Sequence, residues 1–256
     1  RNRAASPSTG CATHPPMKTA LLADIHANLE ALENTLIAAE KAGADRFVAL
    51  GDVVGYGVDA IACLNRLREV DAVCILGNHD QAMVDPVHLH TLNQTARETI
   101  LRSRETLAQS DLDYLQSFSY RRVESGGAFA HANPLLPEEW EPLILQDQIE
   151  WCLDRLDWQL GFIGHTHHAA IHCKTEHRIL QLTSARLAIG HHQYLINPGS
   201  VGQPRDGDWR AAFALWDVDR HYVELMRTEY PVQKTQEKME AAGWPRYATE
   251  RLSRGE

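Results

Sequence analysis

Apolar positions along the chain fall into short blocks that alternate between strand-like runs and helical spacing. Thr19–Ala23 is a short, largely apolar run of strand length that ends at Asp24-Ile25-His26. Asn28 then offers a helix N-cap, and Leu29, Leu32, Leu36 and Ala39 recur at helical spacing. An amphipathic helix is predicted over roughly 29–42, stopped by Gly43. Arg46–Leu50 reads as a second strand, ending at Gly51-Asp52. Gly55-Tyr56-Gly57 leads into a second helix with Ile61, Leu64 and Leu67 as its apolar positions. Ala72–Leu76 is a third strand, ending at Gly77-Asn78-His79-Asp80. Each strand thus runs into a glycine or acidic turn and then a helix. That is the pattern of βα units with a site at the C-terminal edge of the strands.

The pattern then loosens. Residues 85–118 read as polar and helical, most clearly over Thr95–Arg104. Val123 to Ala130 predicts a strand pair around Gly126-Gly127, ending at His131. Gln146–Leu156 is helical, and Leu160–Ile163 is a strand ending at Gly164-His165-Thr166-His167. Short strands follow at about 169–173, 178–182, 193–196, 211–217 and 221–226, two of them separated by Asn197-Pro198-Gly199-Ser200. From about residue 231 the tail is helical and charged, most simply a solvated face. With no internal repeat, low-complexity tract or linker, residues 18–256 read as one domain. Residues 1–17 read as a disordered N-terminal extension, in which a Pro/Ser/Thr-rich stretch without the apolar run of a secretory signal precedes Met17, a candidate natural start.

Composition narrows the function classes. Of 256 residues, 44% are hydrophobic and 23% charged, enough for a sizeable packed core. No apolar run approaches the roughly 18 residues that span a bilayer. A net charge of −9 argues against a protein that grips the nucleic-acid backbone broadly. It leaves room for a small phosphorylated substrate, because bound cations reverse the field locally. Cys11, Cys63, Cys74, Cys152 and Cys173 form no CxxC pair and are odd in number. Buried free thiols, core filler in a reducing compartment, are the expectation, and the expected location is cytoplasmic. Fourteen histidines is a high count, and three of them crowd into Gly164-His165-Thr166-His167-His168.

Five motifs stand at predicted strand ends: Asp24-x-His26, Gly51-Asp52, Gly77-Asn78-His79-Asp80, His131 and Gly164-His165-x-His167. Each alone has an ordinary explanation. Asp24 suits a helix start, Gly51-Asp52 and Gly77-Asn78 suit turns, and a lone His131 suits a satisfied core or surface residue. All five in order, each at a strand end, point to metal binding. Asp, Asn and His donors suit Mn²⁺, Fe²⁺ or Zn²⁺, and the lack of thiolates argues against a structural Cys-type zinc site. In an extended strand end, residues i and i+2 face the same side, so Asp24 and His26 are expected to address one ion together, as are His165 and His167 a pair of ions.

The sequence resembles the calcineurin-like metallophosphoesterase superfamily from Lys18 to about Arg205, in the family's motif order. The likeness is strongest to its small bacterial branch of phosphodiesterase and diadenosine tetraphosphate hydrolase-like proteins. Asp-Ile-His-Ala-Asn (24–28), Gly-Asp-Val-Val-Gly-Tyr-Gly (51–57) and Asn-Pro-Gly-Ser-Val-Gly-Gln-Pro-Arg (197–205) carry it. The resemblance implies an α/β (α+β) fold, a two-sheet β-sandwich flanked by helices in a four-layer αββα arrangement. It implies two divalent metal ions, with Mn the expected ion and Fe, Zn or Ni as alternatives. Asp24, His26 and His167 would hold one, Asn78, His131 and His165 the other, and Asp52 would bridge them. Two such cations, roughly 3.5–4 Å apart, share a water whose pKa falls toward about 7, giving a hydroxide to attack phosphorus. His79, next to a ligand, is the candidate general acid.

One branch is disfavoured. Protein phosphatases of the superfamily carry Gly-Asp-x-x-Asp-Arg-Gly, whereas Gly55 and Tyr56 stand here in place of the orienting acid and the phosphate-binding Arg. The expected activity is hydrolysis of a phosphodiester, phosphomonoester or nucleotide. A dinucleoside polyphosphate such as diadenosine tetraphosphate is a narrower alternative. The rival from another class is a non-catalytic, protein-binding scaffold. Secondary candidates are Asn28 as a cap beside an anion, Asn133 pointing into the site, and Arg205 on a distal phosphate or paired with Asp206 or Asp208. His88 and His90 are candidates to line a cap, and Asn197–Ser200 to support the site. His168, His172, His177, His191 and His192 are expected to be exposed, and Trp140, Trp151 and Trp158 to anchor packing.

Overall fold

In the computed structural model, residues 17–176, 178–183 and 186–256 are described. The predicted N-terminal extension, apart from Met17, and His177 lie outside them. Strand β1 (Lys18–Leu22) sits inside a six-stranded sheet of order β3-β2-β1-β11-β12-β9. It pairs in parallel with β2 (Arg46–Ala49), which pairs in parallel with β3 (Val73–Cys74). On its other side run the antiparallel β11 (Ala211–Asp217), β12 (Tyr222–Thr228) and β9 (Arg186–Ala188). The second six-stranded sheet has the order β4-β5-β6-β10-β7-β8. At its centre β5 (Gly127–Ala130), β6 (Leu160–Phe162) and β10 (Gln193–Asn197) are parallel. Antiparallel strands finish it: β4 (Arg121–Glu124) on one edge, and β7 (Ala170–Lys174) with β8 (Ile179–Leu182) on the other.

The inner faces of the two sheets close on each other. Leu21, Val48, Ala214 and Trp216 from the first meet Phe129, Phe162, Ile171 and Ile196 from the second. Phe129 and Phe162 stack at 5.0 Å between ring centroids, and Phe162 lies 4.9 Å from Trp216. The alternate residues, Ala20, Leu22, Phe47, Ala49, Phe213 and Leu215, face out of the sandwich into a second core with the helices. Burial on both faces explains why the first strands read as continuous apolar runs rather than as alternation.

Helix α1 (Leu29–Lys41) starts where Asn28 accepts from the Ala31 N–H at 3.2 Å and places Leu32 and Leu36 in that core. Helix α2 (Ala60–Glu69) contributes Ala60, Cys63, Leu64 and Leu67. Ile61, predicted on the same face, points outward and is 37% exposed. The short α3 (Asn78–Val84), a 3₁₀ turn at Pro86–Thr91, α4 (Gln94–Arg104) and α5 (Gln109–Gln116) form the polar helical middle. Helix α6 (Gln146–Arg155) covers the outer face of the second sheet through Ile149, Cys152 and Leu153 on Ile163 and Leu195. The tail adds α7 (Val232–Ala241), α8 (Arg246–Glu250) and a 3₁₀ turn at Arg251–Ser253. The chain is therefore a helix-flanked two-sheet sandwich, as expected. Strand β3 is shorter than predicted, and β9 had no counterpart in the prediction. No described helix is long and apolar enough to cross a membrane.

Candidate metal centre

Strands β1, β2, β5 and β6 all deliver predicted ligands from their C-terminal ends. They supply Asp24 and His26, Asp52, His131, and His165 and His167 in that order, while Asn78 and His79 open α3. The local backbone differs from the expectation. Asp24, His26, Asp52, His165 and His167 have φ of 53°, 47°, 55°, 66° and 61°. They sit in left-handed turns, not in extended strand ends. Each such conformation costs a non-glycine residue about 1–3 kcal/mol and persists only where its surroundings impose it. Here they do. His26 N–H bonds to the Asp52 carbonyl at 2.9 Å and Ala27 N–H to Val53 at 2.8 Å. Ser200 Oγ donates to the Asp24 carbonyl at 2.7 Å, and Gly202 N–H to the same oxygen at 3.0 Å. Gly77 is required by close approach: a Cβ there would lie 2.2 Å from Asp52 Oδ1.

Three imidazoles are turned by main-chain acceptors. Nδ1 of His26 faces the Val54 carbonyl at 3.2 Å, that of His131 faces Leu50 at 2.8 Å, and that of His167 faces Gln203 at 2.6 Å. A carbonyl accepts only, so Nδ1 carries a proton in each ring, and the neutral form of each is the tautomer with its lone pair on Nε2. The Nε2 atoms of His26 and His167 then face each other at 3.1 Å with no proton between them. Asp24 Oδ1 is 3.5 Å from His167 Nε2. Beside this group, His131 Nε2 is 3.1 Å from both Asn78 Oδ1 and His165 Nδ1. Asp52 Oδ2 lies between the two groups, 3.7 Å from His26 Nε2 and 3.4 Å from His131 Nε2. The donor atoms of Asp24, His26 and His167 lie within 4.8 Å of one another, as do those of Asp52, His131 and His165. Converging lone pairs and carboxylates, oriented by partners behind them, are a donor set that fits divalent cations.

The electrostatics agree. Burial drives His26 and His167 well below the usual histidine range, and burial with His131 pushes His165 down to about 3. These rings are neutral at neutral pH, as ligands must be. Burial pushes Asp24 up to about 7, with Asp52 adding to the rise and His131 opposing it. Burial would also raise Asp52, but His131 and His79 hold it well below its ordinary value. His131, which burial would lower, is pushed up to about 9 by Asp52. Asp52 and His131 thus form a pair of opposite charges with no net charge, and a cation bound at His131 Nε2 would take that proton's place.

His79 packs its ring 4.8 Å from His26 and 4.7 Å from Tyr56. Its Nε2 is 3.9 Å from Asp52 Oδ2, and among the described residues its buried Nδ1 has no partner. Gly55 explains this. With φ +88°, it lies so close that a Cβ there would stand 2.2 Å from His79 Nδ1. Asp80 faces away, accepting from the N–H groups of Val53, Val54 and Gly77 at 2.9, 3.1 and 3.0 Å, and so fixes the loop rather than the ring.

The secondary candidates separate. Asn197 Nδ2 donates to the Gly164 carbonyl at 2.8 Å and to Thr166 Oγ1 at 3.0 Å, bracing the His165–His167 loop. Asn28 caps α1 and donates to the Gly202 carbonyl at 2.9 Å. Asn133 accepts from the Leu135 N–H through Oδ1 in a turn. Asp206 pairs with Arg227 and Asp208 with Arg210, so neither takes Arg205. His88 sits by Asp85 and His90 bonds to the Val87 carbonyl, local contacts within their 3₁₀ turn. His168, His191 and His192 are exposed, but His172 is buried on β7, because that strand is covered on both faces. Trp140 donates to Gln81 at 2.8 Å with its ring 5.9 Å from His131, whereas Trp151 is exposed, not a packing anchor. Sequence reasoning missed Gln203 and Val54, because they act through main-chain oxygens that leave no residue-type signal. A cavity of about 890 Å³ lies at the opposite strand ends, beside Met17, Asp45 and Asp71, away from every predicted site residue.

The family model for the calcineurin-like phosphoesterase superfamily domain matches residues 17–221. An uncharacterised protein of Methanocaldococcus jannaschii is 33% identical over 241 residues, 92% of this chain and 97% of that protein. The crystal structure of a metallophosphoesterase from Sphaerobacter thermophilus aligns with a TM-score of 0.84 at 32% identity, covering 94% of this chain and 100% of that one. A hypothetical protein from Pyrococcus horikoshii aligns with a TM-score of 0.75 at 19% identity over 94% of this chain and 99% of its own, a likeness of fold.

Proposed function

The chain belongs to the calcineurin-like phosphoesterase superfamily, and from that membership we propose that it is a dinuclear metal-dependent hydrolase of small phosphate esters. The observation that carries this reading is the close approach of two Nε2 atoms, those of His26 and His167, with Asp52 placed between them and His131. Asp24, His26 and His167 would hold one cation, Asn78, His131 and His165 the other, with Asp52 available to both. When bound, such cations polarise phosphoryl oxygens and acidify a water enough for it to attack phosphorus. The main-chain oxygens of Val54, Leu50 and Gln203 keep each imidazole in its ligating tautomer. His79 is the group that gives a proton to the leaving oxygen through Nε2, on the Asp52 side of its ring. Burial depresses its proton affinity and Asp52 restores part of it.

Gly55 and Tyr56, where protein phosphatases carry Asp and Arg, favour a small substrate over a phosphoprotein. Retention of the full donor set disfavours a scaffold role. Free thiols at Cys63, Cys74, Cys152 and Cys173 suit a reducing cytoplasm. Manganese is the expected ion. The test is hydrolysis of p-nitrophenyl phosphate and bis(p-nitrophenyl) phosphate by Mn²⁺-loaded protein. Turnover abolished by chelator and restored by Mn²⁺ is expected. Full activity in excess chelator, or no turnover with Mn²⁺, Fe²⁺, Zn²⁺ or Ni²⁺, contradicts the reading.

A further inference from the structure

Next to the metal centre lies a cavity of about 340 Å³ whose walls include Tyr56, Asn93, Gln203, Tyr247 and Arg251. Two of these residues also touch the centre's histidines. Tyr56 packs its ring 4.8 Å from His26, and the Gln203 carbonyl takes the Nδ1 proton of His167. Tyr247 and Arg251 come from α8 and the 3₁₀ turn after it, beyond residue 221, where the family match ends. The tail therefore adds a wall of its own to the shared domain.

Arg205 stands between the centre and this cavity. Its guanidinium lies 5.7 Å from the Tyr56 ring centroid, and Nη2 donates to Gln203 Oε1 at 2.8 Å. Its charge is felt by Asp24, His26, His79, His165 and His167 on one side and by Arg251 on the other. The nearby arginines are matched: Arg227 with Asp206, Arg210 with Asp208, and Arg246 and Arg254 with Glu250. Arg205 and Arg251 are not. Among the described residues neither forms an ion pair with a side-chain carboxylate, and Arg205 Nε is buried without a hydrogen-bond partner. Arg251 donates from Nε to the Glu256 main-chain oxygen, leaving its terminal nitrogens for another acceptor. The two guanidinium charges oppose each other, Glu256 offsets only that of Arg251, and an anion between them relieves the repulsion while filling their planar forks.

We propose that Arg205 and Arg251 form a subsite for a second phosphate group of the substrate, so that the scissile phosphate lies at the metals and the other in the tail-walled cavity. The substrate class is a small compound bearing two phosphates, joined directly or on one short scaffold. The inference rests on the phosphoesterase reading for the placement of the first phosphate. The cavity is at the lower end of the size range of small-ligand pockets, so it has room for a phosphate and part of the group that carries it. Tyr56 occupies the position where protein phosphatases carry their phosphate-binding Arg; here the cations come from later in the chain.

The experiment is calorimetric binding to Mn²⁺-loaded protein of three non-hydrolysable probes that share one phosphonate: methylphosphonate, methylenediphosphonate and phosphonoacetate. Methylenediphosphonate is expected to bind most tightly. Arg251→Gln is expected to reduce its advantage over methylphosphonate by roughly tenfold or more, the scale of losing a charge-assisted contact. Arg251→Lys, which keeps the charge, is expected to restore part of it. Circular dichroism and metal content establish that the variants are folded and loaded. An advantage untouched by Arg251→Gln overturns the proposal. So does phosphonoacetate binding as tightly as the diphosphonate with the same Arg251 dependence, which would make the second anion a carboxylate. Binding and turnover separate the two ideas. A folded protein with an Arg251-dependent diphosphonate preference but no esterase activity refutes the phosphoesterase reading alone. An active esterase without that preference refutes the subsite alone.

Discussion

Five ligand candidates occupy left-handed backbone, and their donor atoms converge from it. The turn folds Asp24 and His26 back toward Asp52, and hydrogen bonds from Ser200 and Gly202 to the Asp24 carbonyl hold it there. The same logic singles out His79. Its ring is wedged between His26 and Tyr56, and it owes its orientation to packing, because Gly55 leaves Nδ1 without a carboxylate behind it. His79→Asn is expected to lower kcat by about 10²–10⁴ while two metals stay bound, if the ring serves as acid. The loss should shrink for p-nitrophenyl esters, whose leaving group needs no proton, relative to alkyl esters. Equal losses on both substrates would assign His79 a structural part instead.

At the scale of elements, the tail is tied to the helices of the first sheet by a charged cluster. Lys238 on α7 reaches Glu30 on α1 and Asp59 at the start of α2, both at 2.7 Å, and Lys234 reaches Glu30 at 3.1 Å. Burial alone would raise the Glu30 carboxyl, but the two lysines hold it below its ordinary value. A depressed carboxylate contributes stability above the pH at which the unfolded side chain titrates, about 4.3, and loses it as pH falls through the lower folded value. Glu30→Gln is therefore expected to cost roughly 1 kcal/mol at pH 7, since the lysines remain partly solvated. The gap to the parent protein should close near pH 3. Thermal melts at the two pH values measure it, and a gap that stays constant would detach the cluster from stability. The elements themselves were uneven to read. Strands β1 and β2 and helix α1 announced themselves, because burial on both strand faces and one clean helical stripe leave patterns in residue type. The three-residue β9 did not, since its only reason to be a strand is pairing with β12. Ile61 misled because its spacing fits the stripe of α2, while neighbouring Ala60 and Cys63 fill the buried positions.

For the whole molecule, the two sheets serve to bring residues from 24 to 205 to one rim. Motif order in the sequence was enough to anticipate which side chains meet there, since Asp, Asn and His at successive strand ends have few other reasons to recur. What stayed hidden was everything carried by the main chain or by distant partners. That covers the carbonyls that set the tautomers, the lack of a carboxylate partner for Arg205 among the described residues, and the cavity wall that the tail supplies with Arg251. Trp151 shows the converse, a residue whose type suggested a packing role that its exposure did not support. The account stands on two cations sharing Asp52, and anomalous diffraction at the manganese edge from crystals grown with Mn²⁺ tests it most directly. It predicts two peaks, one among Asp24, His26 and His167 and one among Asn78, His131 and His165, each within coordination distance of Asp52. A single peak, or peaks remote from Asp52, would contradict it.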